Sequence, residues 1–314
     1  MARSGGVIRR IGLAYEALSP GLRGMLLMVL GTMTAVGMHG VVKHLSPGMH
    51  AFEIAFFRNS LMLVFLAPMF WRYGFGVLRT RQLRWHATRA VLGTSSMLAF
   101  FMGLGMIPLA QATALGFTTP IFATLLAILF LGEVVRLRRW TAIGIGFLGT
   151  LVIVQPWHGH IHVGALIVIY SAAAWAGAVV IIRFMGRTDS ALTTTLQMAL
   201  WMSPLSLVPA LFVWQWPTVE QLLWLLLAAG LGTVTQFTIA QALRLGDTSA
   251  IMPVDFLRMI WATAMGILLF GETPDAWTWI GAVMVFAATS YIAYRESRLR
   301  RGRRAAESKP EEGS

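Results

Sequence analysis

The sequence predicts an all-α polytopic membrane protein, with ten transmembrane helices arranged as two inverted five-helix repeats. Three observations lead to this fold class. Apolar runs long enough to cross a bilayer recur along almost all of the 314 residues, of which 57% are hydrophobic and 12% charged. One segment recurs at a constant offset along the chain. The basic residues fall almost entirely on one side of the predicted helices.

The repeated segment covers residues 92–142, which align without a gap on residues 231–281 at an offset of 139 positions. Thirteen of the fifty-one aligned positions are identical. Apolar composition alone accounts for matched Leu and Ile, but not for matched Gly-Thr, Gly-Glu and Trp. The matches of this kind are Gly93-Thr94 with Gly232-Thr233, Gly132-Glu133 with Gly271-Glu272, and Trp140 with Trp279. The pattern indicates an internal duplication.

Each apolar run predicts one helix, and short connections separate the runs. The runs are too long and too continuously apolar for the alternating strands of a membrane barrel. The ten predicted helices cover residues 22–42, 50–71, 86–106, 109–131, 139–154, 164–183, 190–213, 219–243, 248–270 and 276–294.

The distribution of Lys and Arg predicts the orientation of the chain. With the N-terminus in the cytoplasm, 22 of the 25 basic residues lie in cytoplasmic segments or at cytoplasmic helix ends. Of the other three, Lys43 lies near an outer end, and Arg58 and Arg258 lie within helices. Both termini are therefore expected in the cytoplasm of a bacterium, with the protein in the inner membrane. Because each half has five helices, the second half enters the membrane from the opposite side.

These boundaries divide the chain into four parts. Residues 1–21 form an N-terminal tail, residues 22–156 the first repeat, residues 164–294 the second repeat, and residues 295–314 a C-terminal tail predicted to be disordered. The net charge of +12 follows from the orientation and does not indicate nucleic-acid binding. The absence of cysteine excludes disulfides and thiolate metal sites. No cofactor is expected, and the expected partners are a small-molecule substrate and membrane lipid.

Two segments carry a family resemblance. Leu131-Gly132-Glu133 with Arg139-Trp140, and Phe270-Gly271-Glu272-Thr273-Pro274 with Trp279, resemble the EamA-type repeat of the drug/metabolite transporter superfamily. Segments around Phe52 to Arg58, Pro120 to Phe122 and Phe270 to Asp275 are similar to the branch that contains S-adenosylmethionine uptake carriers. The resemblance implies ten helices and the transport of amino acids, drugs or other metabolites.

Ionisable side chains within membrane helices are costly, so they are candidate functional residues. They are Glu53, Arg58, Asp255, Arg258 and His39. We expect the second and ninth helices to face each other across a central cavity, with Glu53 near Arg258 or Arg58 near Asp255. The alternative is a set of ion pairs that only fixes helix packing.

In the functional interpretation, each charge has a role. Arg58 or Arg258 binds a substrate carboxylate. Asp255 or Glu53 binds a substrate cation or takes up a coupling proton, and His39 is a further candidate for coupling.

Other polar and aromatic residues complete the predicted site, which we expect the third, fourth, eighth and ninth helices to line. Gln236 and Gln241 are expected to face the cavity, and Trp261 is a candidate for stacking on a substrate. Pro120 and Pro253 interrupt helix hydrogen bonding and are candidate hinges.

Two further clusters have simpler interpretations. The alternating His158, His160 and His162 do not have the spacing of a structural zinc site, so no metal is expected. Gly144, Gly146 and Gly149 form a small-residue face that packs either within the fold or in a homodimer.

These features predict a secondary active transporter that moves a small charged or zwitterionic organic metabolite, such as an amino acid or an S-adenosylmethionine-like compound, by alternating access with proton coupling or exchange. Broad-specificity efflux of drugs or amino acids is an alternative. An intramembrane enzyme would need a nucleophile–base or metal cluster, for which His39 with Glu53 or Asp255 is the only candidate, so no catalytic residue is assigned. A channel would need a ring of like side chains. The chain has no phosphate-binding Lys-Ser/Thr loop, so ATP hydrolysis is not expected.

Overall fold

The computed structural model describes residues 18–73, 80, 82–131, 137–158, 161–185, 191–245 and 252–307, and these residues contain helices and no strand. The α-helices are α1 (Pro20–Leu45), α2 (Ala51–Tyr73), α3 (Leu83–Met106), α4 (Leu109–Gly116), α5 (Thr119–Leu131), α6 (Leu137–Val154), α7 (Val163–Met185), α8 (Ala191–Leu211), α9 (Val219–Leu245), α10 (Leu257–Phe270) and α11 (Ala276–Glu307). Short 3₁₀ segments occupy Pro156–His158 and Met252–Phe256.

Seven helical stretches in the described residues are long and apolar enough to cross a membrane, and two shorter apolar helices accompany them. This composition makes the protein an integral, all-α membrane protein. Large apolar side chains such as Phe130, Phe212 and Leu268 are more than three-quarters exposed, as expected for residues that face lipid.

One predicted helix is broken. The prediction of a continuous helix over residues 109–131 is wrong, because α4 ends at Gly116 and α5 begins at Thr119. Threonine hydroxyl groups replace some of the backbone hydrogen bonds that are missing at this break. Thr118 Oγ1 donates to the Leu115 carbonyl at 2.6 Å, and Thr119 Oγ1 donates to the Gly116 carbonyl at 3.0 Å. Pro120 has no N–H group and favours the first turn of α5.

The helix predicted over residues 248–270 is also interrupted. Its described part begins as the 3₁₀ segment Met252–Phe256 and becomes α-helical only at Leu257. The two interruptions correspond in the repeat, because Phe117 at the end of α4 lies 139 positions before Phe256. Their rings stack with centroids 5.9 Å apart and an interplanar angle of 27°.

The C-terminal boundary also differs from the prediction. α11 continues to Glu307, so the disorder predicted from residue 295 is wrong for the described part of that tail. This extension is rich in Arg and Ala, which have high helix propensity, and it continues a helix that packing has already nucleated. Residues 308–314 lie outside the described residues, as do residues 1–17 of the predicted N-terminal tail.

Helix packing brings the two halves of the chain together. α1 packs on α9, α3 packs on α7, and α6 packs on α11. Thr34 and Thr235 join α1 to α9 through hydroxyl oxygens 2.8 Å apart. Ser96 and Ser171 join α3 to α7, and each hydroxyl donates to the carbonyl of the other residue at 2.8 Å. Neighbouring helices of the core therefore come from different halves of the sequence.

Glycines allow the closest of these crossings. A Cβ atom at Gly281 would lie 2.5 Å from the Gly149 carbonyl oxygen, so no side chain fits where α6 crosses α11. A Cβ atom at Gly146 would lie 2.3 Å from Ile121. Gly146 and Gly149 therefore pack within the fold, whereas Gly144 faces open space.

The helix ends form two opposite faces of the bundle. Lys43 at the end of α1 contacts the end of α3, and Gln221 at the start of α9 donates to the Gly48 carbonyl. We call this end the acidic face, because it carries Glu53, Glu220, Glu272 and Asp275. The opposite end, the basic face, carries Arg23, Arg84 and Arg244.

Candidate functional site

A cavity of about 800 Å³ lies between the two halves of the bundle. The wall is formed by the 3₁₀ segment Met252–Phe256 and by helices α1, α2, α3, α4, α5, α7, α8, α10 and α11. Several lining residues, such as Val179, Ser290 and Ala293, lie near the ends of the apolar stretches Val163–Ile181 and Ala276–Tyr294, which run toward the basic face. The cavity therefore extends from the middle of the bundle toward the basic face.

Arg58 is the cavity-lining charge that has no charged partner among the described residues. Its side chain is buried, with 6% of its surface exposed. Nη1 donates to Asn59 Oδ1 at 3.0 Å, and Nη2 lies 3.4 Å from the sulfur of Met38. Nε has no hydrogen-bond partner. A buried guanidinium with an unused donor is suited to bind an anionic group that enters the cavity.

The chain positions Arg58 through neighbouring polar and small residues. Asn59, which accepts from the guanidinium, donates from Nδ2 to Ser206 Oγ of α8 at 3.3 Å. Gly232 of α9 leaves the necessary space, because a Cβ atom there would lie 2.5 Å from Nη2 of Arg58. The side chain is therefore held by contacts from α1, α2, α3 and α9, and α8 fixes Asn59.

Asp255 and Arg258 form the second charged group of the cavity. The Asp255 Oδ1 and Arg258 Nε atoms are 2.7 Å apart, as expected for charged residues separated by three positions. Asp255 belongs to the 3₁₀ segment and Arg258 to the first turn of α10, so the pair lies beside the helix interruption. His39 lines the same cavity, and its ring packs against Phe100 with centroids 4.8 Å apart.

Residues of both helix interruptions meet at this site. Gly116, Phe117, Thr119 and Pro120 line the cavity from the first half, opposite Asp255 and Arg258 of the second half. Three aromatic side chains also line the cavity: Phe100, Trp175 and Phe286. The cavity thus combines charged groups and flat apolar surfaces, which are general features of small-molecule binding sites.

Glu53 lies outside this cavity, and the expected pairing of Glu53 with Arg258 is wrong. Glu53 is in the first turn of α2 at the acidic face, with 1% of its surface exposed. Its carboxylate accepts from the backbone N–H groups of His50 and Gln215. The carboxylate therefore stabilises a helix N-terminus and the connection between α8 and α9.

The acidic face is closed by a second set of contacts. Lys43 Nζ lies 2.7 Å from Glu272 Oε1 and donates to the carbonyls of Leu104 and Ile107. Glu272 Oε2 accepts from the Leu109 N–H at 2.8 Å. We call the Glu272 and Glu53 contacts together the acidic-face latch. Both carboxylates bind groups of the opposite half of the sequence.

The remaining predicted residues are distributed differently. Gln236 and Gln241 are not among the residues that line the cavity, in contrast to the expectation from the sequence. α9 packs on α1 through the face that contains Gly232 and Thr235. Gln241 lies nine positions after Gly232, on the opposite side of the helix. Trp261 packs against the main core, and its indole N–H has no partner. Pro253 lies in the 3₁₀ segment, and His160 is outside the described residues.

Arg89 is a buried charge beside the cavity that sequence reasoning missed, because it used Arg89 only to orient the chain. It does not itself line the cavity, but it contacts Met198, which does. It lies inside α3 and has 5% of its surface exposed. Its spacing could have indicated this position, because Gly93, Ser96, Met97 and Phe100 follow it at intervals of 4, 7, 8 and 11 residues and all four line the cavity.

Comparison with known proteins identifies the family. The model of the EamA-like transporter family matches residues 22–155 and 162–294. The chain belongs to the EamA-like transporter family. The resemblance inferred from the Gly-Glu and Trp motifs is thereby confirmed, and with it the drug/metabolite transporter superfamily.

Individual EamA-like relatives cover nearly the whole chain. A riboflavin transporter of Vibrio cholerae is 28% identical over 288 residues, which are 90% of this chain and 97% of the relative. An S-adenosylmethionine uptake transporter of Rickettsia prowazekii is 28% identical over 283 residues, which are 90% of this chain and 96% of the relative. A crystal structure with 16% identity and a TM-score of 0.58 covers 88% of this chain and 98% of its own, and supports the fold. The family and these named relatives are transporters, not enzymes.

Proposed function

We propose that this EamA-like protein is a secondary carrier that moves a small charged or zwitterionic organic metabolite across the bacterial inner membrane by alternating access. The observation that carries the proposal is the central cavity, in which the unpaired Arg58 faces the Asp255–Arg258 pair while the acidic-face latch closes one end. A cavity accessible from one side only is what alternating access requires.

The proposed topology is ten spans in two inverted five-span halves, with both termini in the cytoplasm. The packing supports it, because the contact of α1 with α9 has a counterpart in that of α7 with α3. Thr235 of the first contact lies 139 positions after Ser96 of the second. The concentration of arginines at the basic face supports a cytoplasmic location for that face. The described conformation is then open to the cytoplasm.

In this proposal Arg58 binds a carboxylate or other anionic group of the substrate. Asp255 and His39 are the candidates for proton coupling, since both line the cavity. Protonation of Asp255 would release Arg258 from its ion pair and free the guanidinium for a substrate anion, whereas a substrate cation would compete with the proton for the Asp255 carboxylate. The aromatic wall suits a substrate with a ring, a feature shared by riboflavin and S-adenosylmethionine.

Broad-specificity export is a second candidate function, which one observation favours. Met38, Met97, Met198 and Met202 all line the cavity. Methionine side chains are flexible and polarizable, so they adapt to ligands of different shape. A carrier with this wall would accept several metabolites that share a charged group.

Counterflow in proteoliposomes tests the carrier proposal. Vesicles are loaded with unlabelled S-adenosylmethionine, riboflavin or an amino acid mixture, and uptake of the labelled compound is measured. A carrier shows accelerated uptake in vesicles that contain its substrate, whereas a channel does not, and broad specificity gives acceleration across several compound classes. Absence of acceleration with every class would contradict the proposal.

The charged pair gives the proposal a residue-level test. We expect Asp255→Asn and Arg258→Gln to abolish counterflow while the amount of protein in the membrane stays unchanged, because each leaves the other charge unpaired in the cavity. Glu220→Gln at the exposed acidic face is the control and should transport normally. Normal counterflow in both cavity variants would mean that the pair only fixes helix packing.

A further inference from the structure

Arg89 is a buried charge that the mechanism above does not use. One guanidinium nitrogen, Nη2, lies 3.0 Å from the sulfur of Met198, and the other, Nη1, has no hydrogen-bond partner. No carboxylate of the described residues pairs with it. A buried guanidinium without an anion is unfavourable, so a ligand that supplies one would bind here with a gain in free energy.

The position of Arg89 connects it to the cavity. It lies on the same face of α3 as Gly93 and Met97, both of which line the cavity, and it is one turn closer to the basic face than Gly93. Met198, which it contacts, also lines the cavity. Met97, eight residues or about 12 Å further along α3, contacts Arg58 with its sulfur 3.8 Å from Nη1. Arg89 and Arg58 therefore lie at two levels on the same side of the cavity, with Arg58 in the lining and Arg89 packed against the lining residue Met198.

The charged side chains on this side of the cavity and across from it do not sum to zero. Asp255 and Arg258 neutralise each other across 2.7 Å. Arg58 and Arg89 then leave two positive charges without a counterion among the described residues. A low-dielectric cavity with an excess of one charge concentrates small ions of the opposite sign.

We propose that Arg89 is a second anion-binding residue and that Arg58 and Arg89 together select organic anions. Arg58 binds one acidic group deep in the cavity, and Arg89 binds a second acidic group near the basic face. This inference rests on the proposed carrier function and narrows its substrate class from charged or zwitterionic metabolites to those with a net negative charge. A metabolite whose only charge is positive leaves both guanidinium groups unpaired.

Trp175 provides a local probe, because it lines the cavity one turn from Arg89, with its ring 3.7 Å from the position of a Cβ atom on Gly93. Nitroxides quench tryptophan fluorescence on contact. Two ring nitroxides of nearly equal shape, 4-carboxy-TEMPO and its neutral amide 4-carbamoyl-TEMPO, are titrated into the purified full chain in detergent. The difference between the wild-type chain and Trp175→Phe isolates the signal of Trp175 from that of the other tryptophans.

We expect the carboxylate to quench Trp175 roughly tenfold more efficiently than the amide in the wild-type chain, because the two guanidinium groups concentrate it in the cavity. Arg89→Gln should reduce this preference to less than about half, and Arg89→Lys should retain most of it. Arg84→Gln is the matched control, since Arg84 lies exposed on the same helix beside the ring of Trp85. Its preference should equal that of the wild-type chain.

Equal quenching by the carboxylate and the amide in the wild-type chain would overturn the inference without the use of any variant. So would a preference that survives Arg89→Gln unchanged. The assay requires no transport, so it separates the two proposals. A strong anion preference in a chain without counterflow contradicts the carrier proposal alone, whereas counterflow without an anion preference contradicts anion selection alone.

Discussion

Single residues decide how Arg58 is presented to the cavity. The guanidinium is held by the amide of Asn59 and the sulfurs of Met38 and Met97, all of them uncharged. None of these groups neutralises it, so the positive charge remains available for a substrate. Gly232 belongs to the same arrangement, because only a residue without a side chain leaves room for the guanidinium. The position of the charge therefore depends on a residue that carries no functional group.

Gly232→Ala tests this arrangement. The added methyl group would lie 2.5 Å from Nη2 of Arg58, so the guanidinium must move away from its position. We expect substrate affinity in a counterflow assay to fall about tenfold or more, as for the loss of one buried charged contact. Gly144→Ala, which adds a methyl group away from the cavity with nothing within 4 Å, should retain wild-type affinity. Equal loss in both variants would point to general destabilisation.

At the scale of elements, the helix interruptions and helix ends shape the site and the acidic face. α10 ends at Phe270, and the C-cap residue Gly271 has a φ of 65°, in the left-handed region that favours glycine. This turn directs the next residue, Glu272, toward Lys43. The N-terminus of α11 follows at once, where Asp275 Oδ1 accepts from the Thr278 N–H at 2.9 Å and Oδ2 accepts from Gln155 at the end of α6.

Replacement of Gly271 tests the first of these turns. We expect Gly271→Ala to lower the free energy of unfolding by about 1 kcal/mol, because an alanine is strained at this φ. The displaced Glu272 should also weaken the contact with Lys43. Gly144→Ala is the control, since Gly144 lies inside α6 with nothing within 4 Å and should be neutral or slightly stabilising. Thermal unfolding of the purified variants in detergent measures both effects.

The N-terminus of α11 gives a pH dependence. Partial burial acts to raise the pKa of Asp275, but hydrogen bonds from Thr278 and Gln155 outweigh it and hold the pKa below its ordinary value. A carboxyl group with a lowered pKa stabilises the folded chain at neutral pH, and this contribution is lost as pH falls below about 4. Asp275→Asn should therefore lower the melting temperature at pH 7, and the difference from the wild-type chain should shrink toward pH 3. A difference that is constant between pH 7 and pH 3 would contradict this role.

At the scale of the whole molecule, the two halves hold each other at the acidic face and leave the cavity accessible toward the basic face. The latch residues Glu53 and Glu272 come from different halves, and each binds the other half. In the proposed alternating-access cycle, a state that is open at the acidic face requires that these contacts separate. Weakening them should then shift the population toward that state without a change in the cavity itself.

The absence of cysteine makes this shift measurable. A single Thr113→Cys, placed in the cavity wall, is labelled in oriented vesicles with a membrane-impermeant maleimide added on the acidic-face side. We expect slow labelling in the otherwise wild-type chain and labelling about tenfold faster with Glu272→Gln, corresponding to a shift of about 1.4 kcal/mol. Lys43→Met should act similarly, and the double variant should add little, because both residues belong to one contact. Unchanged labelling would mean that Glu272 does not hold the closed state.

The sequence predicts the all-helical, membrane-spanning character of the chain, because a membrane helix needs only a long local run of apolar residues. The sequence predicts less well how deep a side chain lies in the bundle and which side of its helix faces the cavity. Glu53 lies near the start of an apolar run, and whether it reaches the cavity depends on where α2 begins; the helix begins at Ala51, so Glu53 remains in its first turn. The interruption at Phe117 has no proline or glycine of its own within the two linking residues. Gln241 shows that polarity in a helix does not give the direction in which a side chain points.

The contact between Gly149 and Gly281 restricts how the two halves move. The backbones of α6 and α11 touch there, and no side chain separates them. Such a crossing resists translation of one helix along the other, since neighbouring ridges would collide, but it permits rotation about the point of contact. We expect it to act as the fulcrum on which one half tilts against the other, so that a small opening at either face is matched by closure at the opposite one.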